Sequence, residues 1–346
     1  MSEHVIVIYG AGSVGSSVGG WLAPHCPNLS LLARGDHGAA MRKKGLIVSL
    51  KGEKARPGHL PVSVIGNLSE RPSAEIVVVT VKNYSLESAA KDIRKKIKGE
   101  PLVVALQNGL ENQKILPRYF KRVIYGVICY NSWRKEPGIV GASRKGPILL
   151  GTPDNDPALV GDLREIREIF SLGLDARITR DLKNAVVTKM ILNLSNAVLT
   201  LVGHGRREIG SFRALKHIMI GSMLEGFDIA RRAGFAEVPI PGAPSRGLLR
   251  FSAALPELFS DIIFKGNLSS VDLNSMGQDI LQFGRDRTEL ESLTGYFIGL
   301  ADQFKVAAPI NRTIYEISKK RFAQRPFVPM DETELWGEIA RRLVKR

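Results

Sequence analysis

The sequence predicts an α/β domain built on an open parallel sheet, followed by an all-helical domain. Short apolar runs alternate with helix-like segments through the first third of the 346-residue chain, and a Gly-rich turn closes the first run. Strand patterns nearly vanish beyond Thr152. Alternation of strands and helices with short turns implies right-handed crossovers between parallel strands, with helices packed on the sheet.

The predicted strands of the first domain are continuous apolar runs, which are typical of parallel strands buried on both faces. They are Val5–Tyr9, Leu29–Ala33, Glu75–Val81 and Pro101–Leu106. Helical spacing of apolar residues occurs at Ser16–Leu22 and Leu86–Ile97. From Val123 to Gly151 the strand-like stretches are interrupted by Pro and Gly, so we expect them to complete the sheet with antiparallel or mixed strands.

Long segments with helical apolar spacing fill the rest of the chain. They are Ala158–Leu172, Leu182–Val202, Phe212–Ala233, Gly247–Leu258, Leu273–Phe283 and Thr288–Phe304. One short strand is expected near Ala176–Thr179. We therefore divide the chain into residues 1–180 and 181–346. The last stretch, from Ala323, contains two prolines before a polar amphipathic helix, and we expect it to be a peripheral tail.

The composition excludes a disordered, a collagen-like and a coiled-coil protein. With 44% hydrophobic and 24% charged residues, the chain has the composition of an ordinary globular protein. No apolar run reaches the ~20 residues of a membrane-spanning helix, and an acid stands where a signal peptide carries its basic region. We therefore expect a cytoplasmic protein with no membrane partner. Cys26 and Cys129 lie in no metal-ligand spacing, so we expect reduced, mostly buried thiols and no metal.

The formal charge of +15 permits binding to nucleic acid. The basic residues nevertheless occur in small groups, and no aromatic residues alternate with them as a stacking platform requires. Such groups are typical of solvated helix faces, and an anionic cofactor or substrate would also benefit from the positive field. We therefore do not expect nucleic acid as a partner.

A dinucleotide-binding motif follows the first predicted strand. Gly10-Ala11-Gly12-Ser13-Val14-Gly15 fits the pattern G-x-G-x-x-G and opens a helix. In this pattern the first glycine makes a tight turn, the second lets the backbone approach a pyrophosphate, and the third allows close packing of helix on strand. The free N–H groups and the positive end of the helix dipole favour the phosphates. The motif in this context predicts a Rossmann-type dinucleotide-binding domain.

The residue at the end of the second strand distinguishes the two nicotinamide cofactors. An acidic residue there holds the ribose 2′-hydroxyl of NAD, whereas an arginine accommodates the 2′-phosphate of NADP. Arg34 takes this place and favours NADP, although Asp36 could also reach the ribose. Lys82 and Asn108 end the next two strands at the edge that faces the ligand, so we expect Lys82 to contact the cofactor and Asn108 to lie between nicotinamide and substrate. An Asn-Gly pair is also an ordinary turn signal.

Sequence blocks in fixed order across both domains resemble the ketopantoate reductase (2-dehydropantoate 2-reductase) family, from about Val5 to Lys320. The blocks are GAGSVG at 10–15, LLARG at 31–35, TVKNY at 80–84, ALQNGLEN at 105–112, GVICYNSWRKEPG at 126–138, Lys189-x-x-x-Asn193, SMGQD at 275–279, RTELESLTGY at 287–296 and VAAPINRTIYEI at 306–317. Motifs spread over both domains are far more specific than the dinucleotide motif alone.

The resemblance implies hydride transfer from NADPH to the ketone of 2-dehydropantoate, giving pantoate for pantothenate biosynthesis. It assigns the proton donor to Lys189, since an ammonium stabilises the negative charge that gathers on the carbonyl oxygen and supplies its proton. Glu289 matches the family's glutamate, which orders the lysine and contacts the cofactor. Asn193 and Ser275 match substrate-binding positions, and Asn108 is assigned to both ligands. Ser132 matches a cofactor-binding position.

Two positions depart from the family pattern. The family's second helical asparagine falls four residues after the first, where this chain has Ala197. The adjacent Asn196 is the candidate for that substrate-binding role. Asp272 stands where a substrate-binding asparagine is common, and an acid there opposes a carboxylate substrate unless it is paired.

We keep two alternatives to the reduction of 2-dehydropantoate. An enzyme on the same scaffold would reduce another 2-oxo acid, or would be an opine-type dehydrogenase. A protein of a different class would be a non-catalytic NADP sensor or a nucleic-acid-binding protein that keeps only the cofactor fold. Lys189 and Glu289 together argue against the second alternative. A small-molecule 2-oxo acid is the expected substrate, and a homodimer is the assembly that we consider.

Overall fold

The computed structural model describes residues 1–53, 57–255, 261, 264, 266, 268 and 273–344. The chain divides into two compact units, Met1–Val186 and Val187–Arg346. The division falls inside a helix, a little beyond the boundary at residue 180 that the sequence suggests.

The first unit contains two sheets. Its strands are β1 (Ile6–Tyr9), β2 (Leu29–Leu32), β3 (Ile47–Leu50), β4 (Ser63–Ile65), β5 (Ile76–Val79), β6 (Leu102–Ala105), β7 (Val123–Ile128), β8 (Ser132–Glu136), β9 (Ile139–Ala142), β10 (Ile148–Gly151) and β11 (Ala176–Ile178). The larger sheet has the order β11-β10-β7-β6-β5-β1-β2-β4, and the smaller one has the order β3-β9-β8. In the larger sheet, the neighbouring strands in the series β4-β2-β1-β5-β6-β7 are all parallel, whereas β10 is antiparallel to β7.

The central strands of the larger sheet are buried along their whole length. Every residue of β1, β2, β5 and β6 is buried, because helices cover both faces of a parallel sheet. This burial explains why the four strands are continuous apolar runs in the sequence. The predicted α/β class with a parallel sheet is confirmed.

The segment from Val123 to Gly151 is divided between the two sheets. β7 and β10 extend the larger sheet, with β10 antiparallel as expected. β8 and β9 instead form a hairpin, and β9 pairs in parallel with β3 in the smaller sheet. The expectation that the whole segment completes one sheet was wrong for this hairpin. The polar sequence of β8 leaves its end exposed and does not suit a sheet buried on both faces.

The helices of the first unit are α1 (Ser13–Leu22), α2 (Gly35–Lys44), α3 (Leu86–Lys96), α4 (Glu111–Ile115) and α5 (Val160–Ser171). The sequence patterns do not predict α2, because only His37, Gly38 and Met41 are buried on it. Charge and capping favour this helix instead. Its first turn carries an acid, its last turn carries three bases, and Gly45 ends it with a φ of +78°.

The second unit is helical, as predicted. A helix that begins in the first unit, α6 (Leu182–Asn193), leads into α7 (Ser195–Leu201), α8 (Phe212–Arg232), α9 (Arg246–Ala254), α10 (Tyr296–Gln303), α11 (Pro309–Phe322) and α12 (Glu332–Val344). A short helix at Ser275–Gly277 continues as a π-helix at Gln278–Gln282, and a second π-helix at Glu291–Gly295 precedes α10.

The predicted helix from Leu182 to Val202 is interrupted at Leu194. The N–H of Leu194 bonds to the carbonyl of Ile191 at 3.1 Å, one residue short of the α-helical partner. The hydroxyl of Ser195 donates to the carbonyl oxygen of Leu192 at 2.8 Å. Such bonds from a serine side chain compete with the helical ladder, and α6 therefore ends at Asn193.

The sequence suggests a peripheral tail, whereas α12 packs against α8 and α11. Leu335 and Ile339 are fully buried on this helix. Glu332, also fully buried, accepts a hydrogen bond from Arg207 Nη2 at 2.5 Å. The apolar face of α12 thus forms part of the core of the second unit.

No helix within the described residues has the length and apolar character needed to cross a membrane. Cys26 and Cys129 are both buried, as predicted. In the part of the chain that the structure describes, no three His, Cys, Asp or Glu side chains are grouped so that they could hold a metal ion.

Candidate functional site

The three glycines of the turn between β1 and α1 lie in different environments. Gly10 has a φ of +107°, and a Cβ there would lie 2.8 Å from Val81 Cγ1. A Cβ on Gly15 would lie 2.4 Å from the carbonyl oxygen of Gly10. Gly12 is exposed, and a Cβ there would meet nothing within 4 Å beyond its chain neighbours. The protein's own packing therefore requires Gly10 and Gly15, while Gly12 leaves open space at the helix N-terminus where the motif places a pyrophosphate.

The sheet order places this turn at a topological switch point. β1 has β2 on one side and β5 on the other, and all three strands are parallel. In open α/β sheets, ligands bind outside the carboxyl ends of the strands at such a point. The structure therefore brings four predicted features to one edge of the sheet, namely the turn at residues 10–15, Arg34, Lys82 and Asn108.

Thr80 holds the turn against the end of β5. Its hydroxyl donates to the carbonyl oxygen of Gly10 at 2.5 Å, and its backbone N–H bonds to the carbonyl of Tyr9 at 3.0 Å. Thr80 was not predicted as a site residue, although it begins the TVKNY block. The sequence feature that could have indicated this role is a hydroxyl residue directly after a buried strand.

Buried amide side chains fix the backbone around Asn108. Asn83 Nδ2 donates to the carbonyl oxygen of Asn108 at 2.6 Å, and Gln107 Nε2 donates to that of Val79 at 2.7 Å. Asn112 Nδ2 donates to Gln107 Oε1 at 3.4 Å. Asn83, Gln107 and Asn112 are all more than nine-tenths buried. Of these amide residues, only Asn108 was predicted as a site residue, although the TVKNY and ALQNGLEN blocks contain the others.

Arg34 lies at the exposed N-terminal end of α2, in extended conformation. Two positive charges, those of Lys96 and, more weakly, of Arg34, act on the carboxyl of Asp92. Burial alone would raise the pKa of Asp92, but hydrogen bonds from Lys96 and Tyr9 and the two positive charges lower it overall. Tyr9 Oη donates to Asp92 Oδ2 at 2.8 Å, and Asp36 is exposed in the first turn of α2. Asp92, which was not predicted as a site residue, therefore belongs to the electrostatic environment of Arg34.

Ser132 and Lys82 have less direct support as cofactor-binding residues. Ser132 begins β8 in the smaller sheet, and its hydroxyl donates to the carbonyl oxygen of Gly141 at 3.1 Å. Lys82 is half-buried and directly precedes a 3₁₀ turn at Asn83–Ser85. Their contacts with a cofactor stay predictions.

In the second unit, α6 carries Lys189 and Asn193 one helical turn apart, and both side chains are half-buried. Asn196 lies on α7, beyond the interruption at Leu194. Its carbonyl oxygen accepts hydrogen bonds from Thr200 Oγ1 at 2.7 Å and from Asn274 Nδ2 at 3.3 Å.

Asn274 brings the segments of two predicted substrate-binding residues together. Its Oδ1 accepts the N–H of Gly277 at 2.8 Å and caps the helix that begins at Ser275, while its Nδ2 holds the backbone of Asn196. Asn274 directly precedes the SMGQD block and was not predicted as a site residue. Asparagine directly before a helix is a preferred N-cap, which was the available signal.

Glu289 is 4% exposed and lies just before the helical segment that leads into α10. Its carbonyl oxygen accepts the N–H of Leu293 at 3.0 Å and the hydroxyl of Ser292 at 3.2 Å. The backbone of Glu289 is therefore fixed at the start of a helix. Asp272, the residue that departs from the family pattern, lies outside the described residues.

The fold and the glycine turn define a two-unit protein whose first unit is a Rossmann-type dinucleotide-binding domain. The family model for ketopantoate reductase PanE/ApbA matches residues 6–155, and the model for the C-terminal part of that family matches residues 181–322. The chain belongs to the ketopantoate reductase family. The predicted family is confirmed, and with it the predicted class of enzyme, an oxidoreductase acting on CH–OH groups.

Known relatives match nearly the whole chain. A 2-dehydropantoate 2-reductase of Pyrococcus horikoshii is 27% identical over 330 residues, which cover 91% of this chain and 97% of the relative. The crystal structure of 2-dehydropantoate 2-reductase from Geobacter metallireducens GS-15 has a TM-score of 0.71 at 23% identity and covers 91% and 99% of the two chains. D-mandelate dehydrogenase in complex with NADH and anilino(oxo)acetate has a TM-score of 0.72 at 19% identity, with 92% and 97% covered. The likeness to these two structures shows the fold.

Proposed function

We propose that this protein catalyses the NADPH-dependent reduction of 2-dehydropantoate to pantoate, with Lys189 as the proton donor. The observation that carries this proposal is the family match to both units, which includes the glycine turn in the first unit and Lys189 and Glu289 in the second. The curated relative from Pyrococcus, which bears the name of this activity, is matched over 91% of this chain.

The residues at the edge of the larger sheet support a nicotinamide dinucleotide as cofactor. Bound NADPH would supply the hydride. The open space at Gly12 and the N–H groups of α1 suit its pyrophosphate. Arg34 favours NADP over NAD because a guanidinium binds a 2′-phosphate through two parallel hydrogen bonds. Lys82, Asn108 and Ser132 would complete the contacts.

The residues of the second unit would perform the acid chemistry and hold the substrate. The carbonyl oxygen of the substrate gathers negative charge as the ketone is reduced, and the Lys189 ammonium stabilises this charge and donates the proton. Glu289 orders the ammonium. Asn193 and Asn196 bind the hydroxyl or carboxylate of the substrate, and Ser275 adds a further contact.

The direct test combines purified protein, 2-dehydropantoate and NADPH, and follows both cofactor oxidation and the product by mass spectrometry. We expect one pantoate for each NADPH oxidised and much slower turnover with NADH. A panel of other 2-oxo acids, with and without amines, tests the alternatives on the same scaffold. Turnover of another acid without turnover of 2-dehydropantoate would replace the substrate. NADP binding without turnover of any acid would support the non-catalytic alternative.

The homodimer stays a prediction, which sedimentation equilibrium tests.

A further inference from the structure

A buried histidine links three segments of the first unit that lie far apart in the sequence. His37 lies on α2, three residues after Arg34, and is 4% exposed. Its Nδ1 accepts the backbone N–H of Gly138 at 2.9 Å, at the tip of the β8–β9 hairpin. Its Nε2 lies 3.0 Å from Ser16 Oγ on α1, and Ser16 Oγ donates to the carbonyl oxygen of Ala11 at 3.2 Å.

The directions of the hydrogen bonds that run from Gly138 through His37 and Ser16 to Ala11 follow from the groups at the two ends of the series. A backbone N–H can only donate, so Nδ1 of His37 carries no proton and Nε2 carries the ring proton. Nε2 therefore donates a hydrogen bond to Ser16 Oγ, whose own hydroxyl hydrogen bonds to the carbonyl oxygen of Ala11. Burial, assisted by the charge of Arg134, lowers the pKa of His37 to about 4, so the neutral ring that this pattern needs is present at neutral pH.

The chain of hydrogen bonds joins two elements that face the phosphates of the proposed cofactor. Ala11 lies in the glycine turn, and its N–H also bonds to the carbonyl of Leu32 at the end of β2 at 3.1 Å. The first turn of α2 is pressed against the same strand end, because a Cβ on Gly38 would lie 2.7 Å from the carbonyl oxygen of Ala33. Arg34 lies between that strand end and His37 in the chain. The glycine turn and the Arg34 end of α2 are therefore held in a fixed relation.

The tip of the hairpin contacts the face of α2 that carries His37 and Ala40. A Cβ on Gly138 would lie 3.2 Å from Cβ of Ala40, so the hairpin tip packs directly on the helix. The carbonyl of Gly138 also accepts the N–H of Ile47 on β3 at 2.9 Å. Neither contact depends on His37, so the hairpin would stay in place when the ring is replaced and would still support the middle of α2 at Ala40.

We propose that His37 is a positioning residue for cofactor choice: by holding the Arg34 end of α2 against the glycine turn, it sets the preference for a phosphorylated ribose 2′ position. This inference rests on the proposed use of NADP and extends it to a buried residue of α2. His37 acts through Arg34, because without the ring the N-terminal end of α2 can shift relative to the turn that holds the pyrophosphate.

The test measures the dissociation constants of NADP⁺ and NAD⁺ by calorimetry, for variants shown by circular dichroism to be folded. We expect His37→Leu to lower the preference for NADP⁺ over NAD⁺ about tenfold. The KM for NADPH should rise while kcat at saturating NADPH stays nearly unchanged, since no reacting group is removed. In the Arg34→Ala background, His37→Leu should change the preference no further.

Neighbouring serines on α1 provide a matched pair in case His37→Leu does not fold. Ser16→Ala removes the link to Ala11 and should reduce the NADP⁺ preference several-fold. Ser17→Ala removes an equally buried hydroxyl, which bonds to the carbonyl oxygen of Val14 at 2.9 Å and lies 3.1 Å from Tyr130 Oη, and should leave the preference unchanged.

An unchanged preference in both His37→Leu and Ser16→Ala would overturn the inference, as would an equal shift in Ser17→Ala. Lower thermal stability with an unchanged preference would show a purely structural histidine and would also overturn it. Failure of the proposed cofactor is a separate result, because the wild-type protein would then show no preference for NADP⁺.

Discussion

At the scale of single residues, Arg34 carries the cofactor assignment. Its side chain is exposed at the start of α2, where only NADPH offers a 2′-phosphate for it to neutralise. We predict that Arg34→Ala weakens NADPH binding by about tenfold or more and leaves NADH binding nearly unchanged, because it removes hydrogen bonds to a charged group. Fluorescence titration with the two cofactors measures both constants.

Lys43 is a suitable control for Arg34. It is exposed near the other end of the same helix, so Lys43→Ala removes an equal charge without touching the proposed site. Lys43→Ala should leave the ratio of the two constants unchanged. Equal losses for NADPH and NADH in Arg34→Ala would instead indicate that Asp36, or another group, contacts the ribose.

Lys189 carries the catalytic assignment. We predict that Lys189→Ala lowers kcat by the ~10²–10⁴-fold typical of a lost general acid, with NADPH affinity nearly unchanged. Lys189→Arg should restore little activity, since a guanidinium keeps the charge but hardly gives up a proton. Turnover of the wild-type protein should fall at alkaline pH as the ammonium loses its proton, and this decrease should be absent from the residual activity of Lys189→Ala.

The same helix offers a control for Lys189. Lys183 is exposed and forms an ion pair with Asp154 at 2.6 Å, so Lys183→Ala should leave kcat unchanged. A Lys189→Ala variant that reduces 2-dehydropantoate at nearly the wild-type rate would make Lys189 an ordinary helix residue, and the catalytic assignment would fail with it.

At the scale of elements, substitutions in the glycine turn distinguish residues needed for cofactor binding from residues needed for folding. Gly12 has a φ of −76° and open space around its Cβ position, so alanine is tolerated there by the protein itself. We predict that Gly12→Ala keeps the wild-type melting temperature but weakens NADP⁺ binding about tenfold. The methyl group of the alanine would occupy the space where we propose that the pyrophosphate binds. Thermal unfolding and calorimetric titration of the same sample measure the two effects.

Gly15 provides the contrasting variant in the same turn. An alanine there would clash with the carbonyl oxygen of Gly10, so Gly15→Ala should lower the free energy of unfolding by about 1–3 kcal/mol. If Gly12→Ala bound NADP⁺ as tightly as the wild-type protein, the turn would not be the pyrophosphate site.

The last helix is an element whose role is structural. The Arg207–Glu332 pair joins α12 to the segment between α7 and α8, with Glu332 fully buried and the Arg207 side chain 31% exposed. Glu332→Gln should lower the free energy of unfolding by about 2 kcal/mol, less than the ~3–5 kcal/mol for a fully buried pair, because water partly solvates Arg207. Urea unfolding measures this loss, and kcat should be unchanged.

An exposed pair on the same helix is the control. Glu338 lies 2.6 Å from Arg341, with side chains 37% and 69% exposed, so Glu338→Gln should cost no more than about 0.5 kcal/mol. Equal losses in Glu332→Gln and Glu338→Gln would show that the buried pair does not anchor the helix.

At the scale of the whole molecule, the division into two units predicts how the activity separates. Residues 1–186 contain both sheets and the glycine turn. A fragment that ends at residue 186, and not at 180, also keeps Leu182, which is 1% exposed. We predict that this fragment binds NADP⁺ weakly but reduces no substrate, since Lys189 and Glu289 belong to the second unit. Calorimetry and the reductase assay test the two parts, and turnover by the fragment alone would contradict the assignment of the acid chemistry to the second unit.

The sequence by itself determined the parallel sheet, the glycine turn, the helical second unit and the family. These features are written in local patterns, because strands buried on both faces need continuous apolar runs and a tight turn needs glycine at fixed spacing. Tertiary structure decided the rest. The bond from Gly138 to His37 joins residues 101 positions apart, and Asn274 joins the segments of Asn196 and Ser275. Packing likewise makes α12 part of the core of the second unit, and it places the β8–β9 hairpin in a second sheet. Such contacts leave no periodic trace in the sequence, because they depend on which surfaces the folded chain brings together.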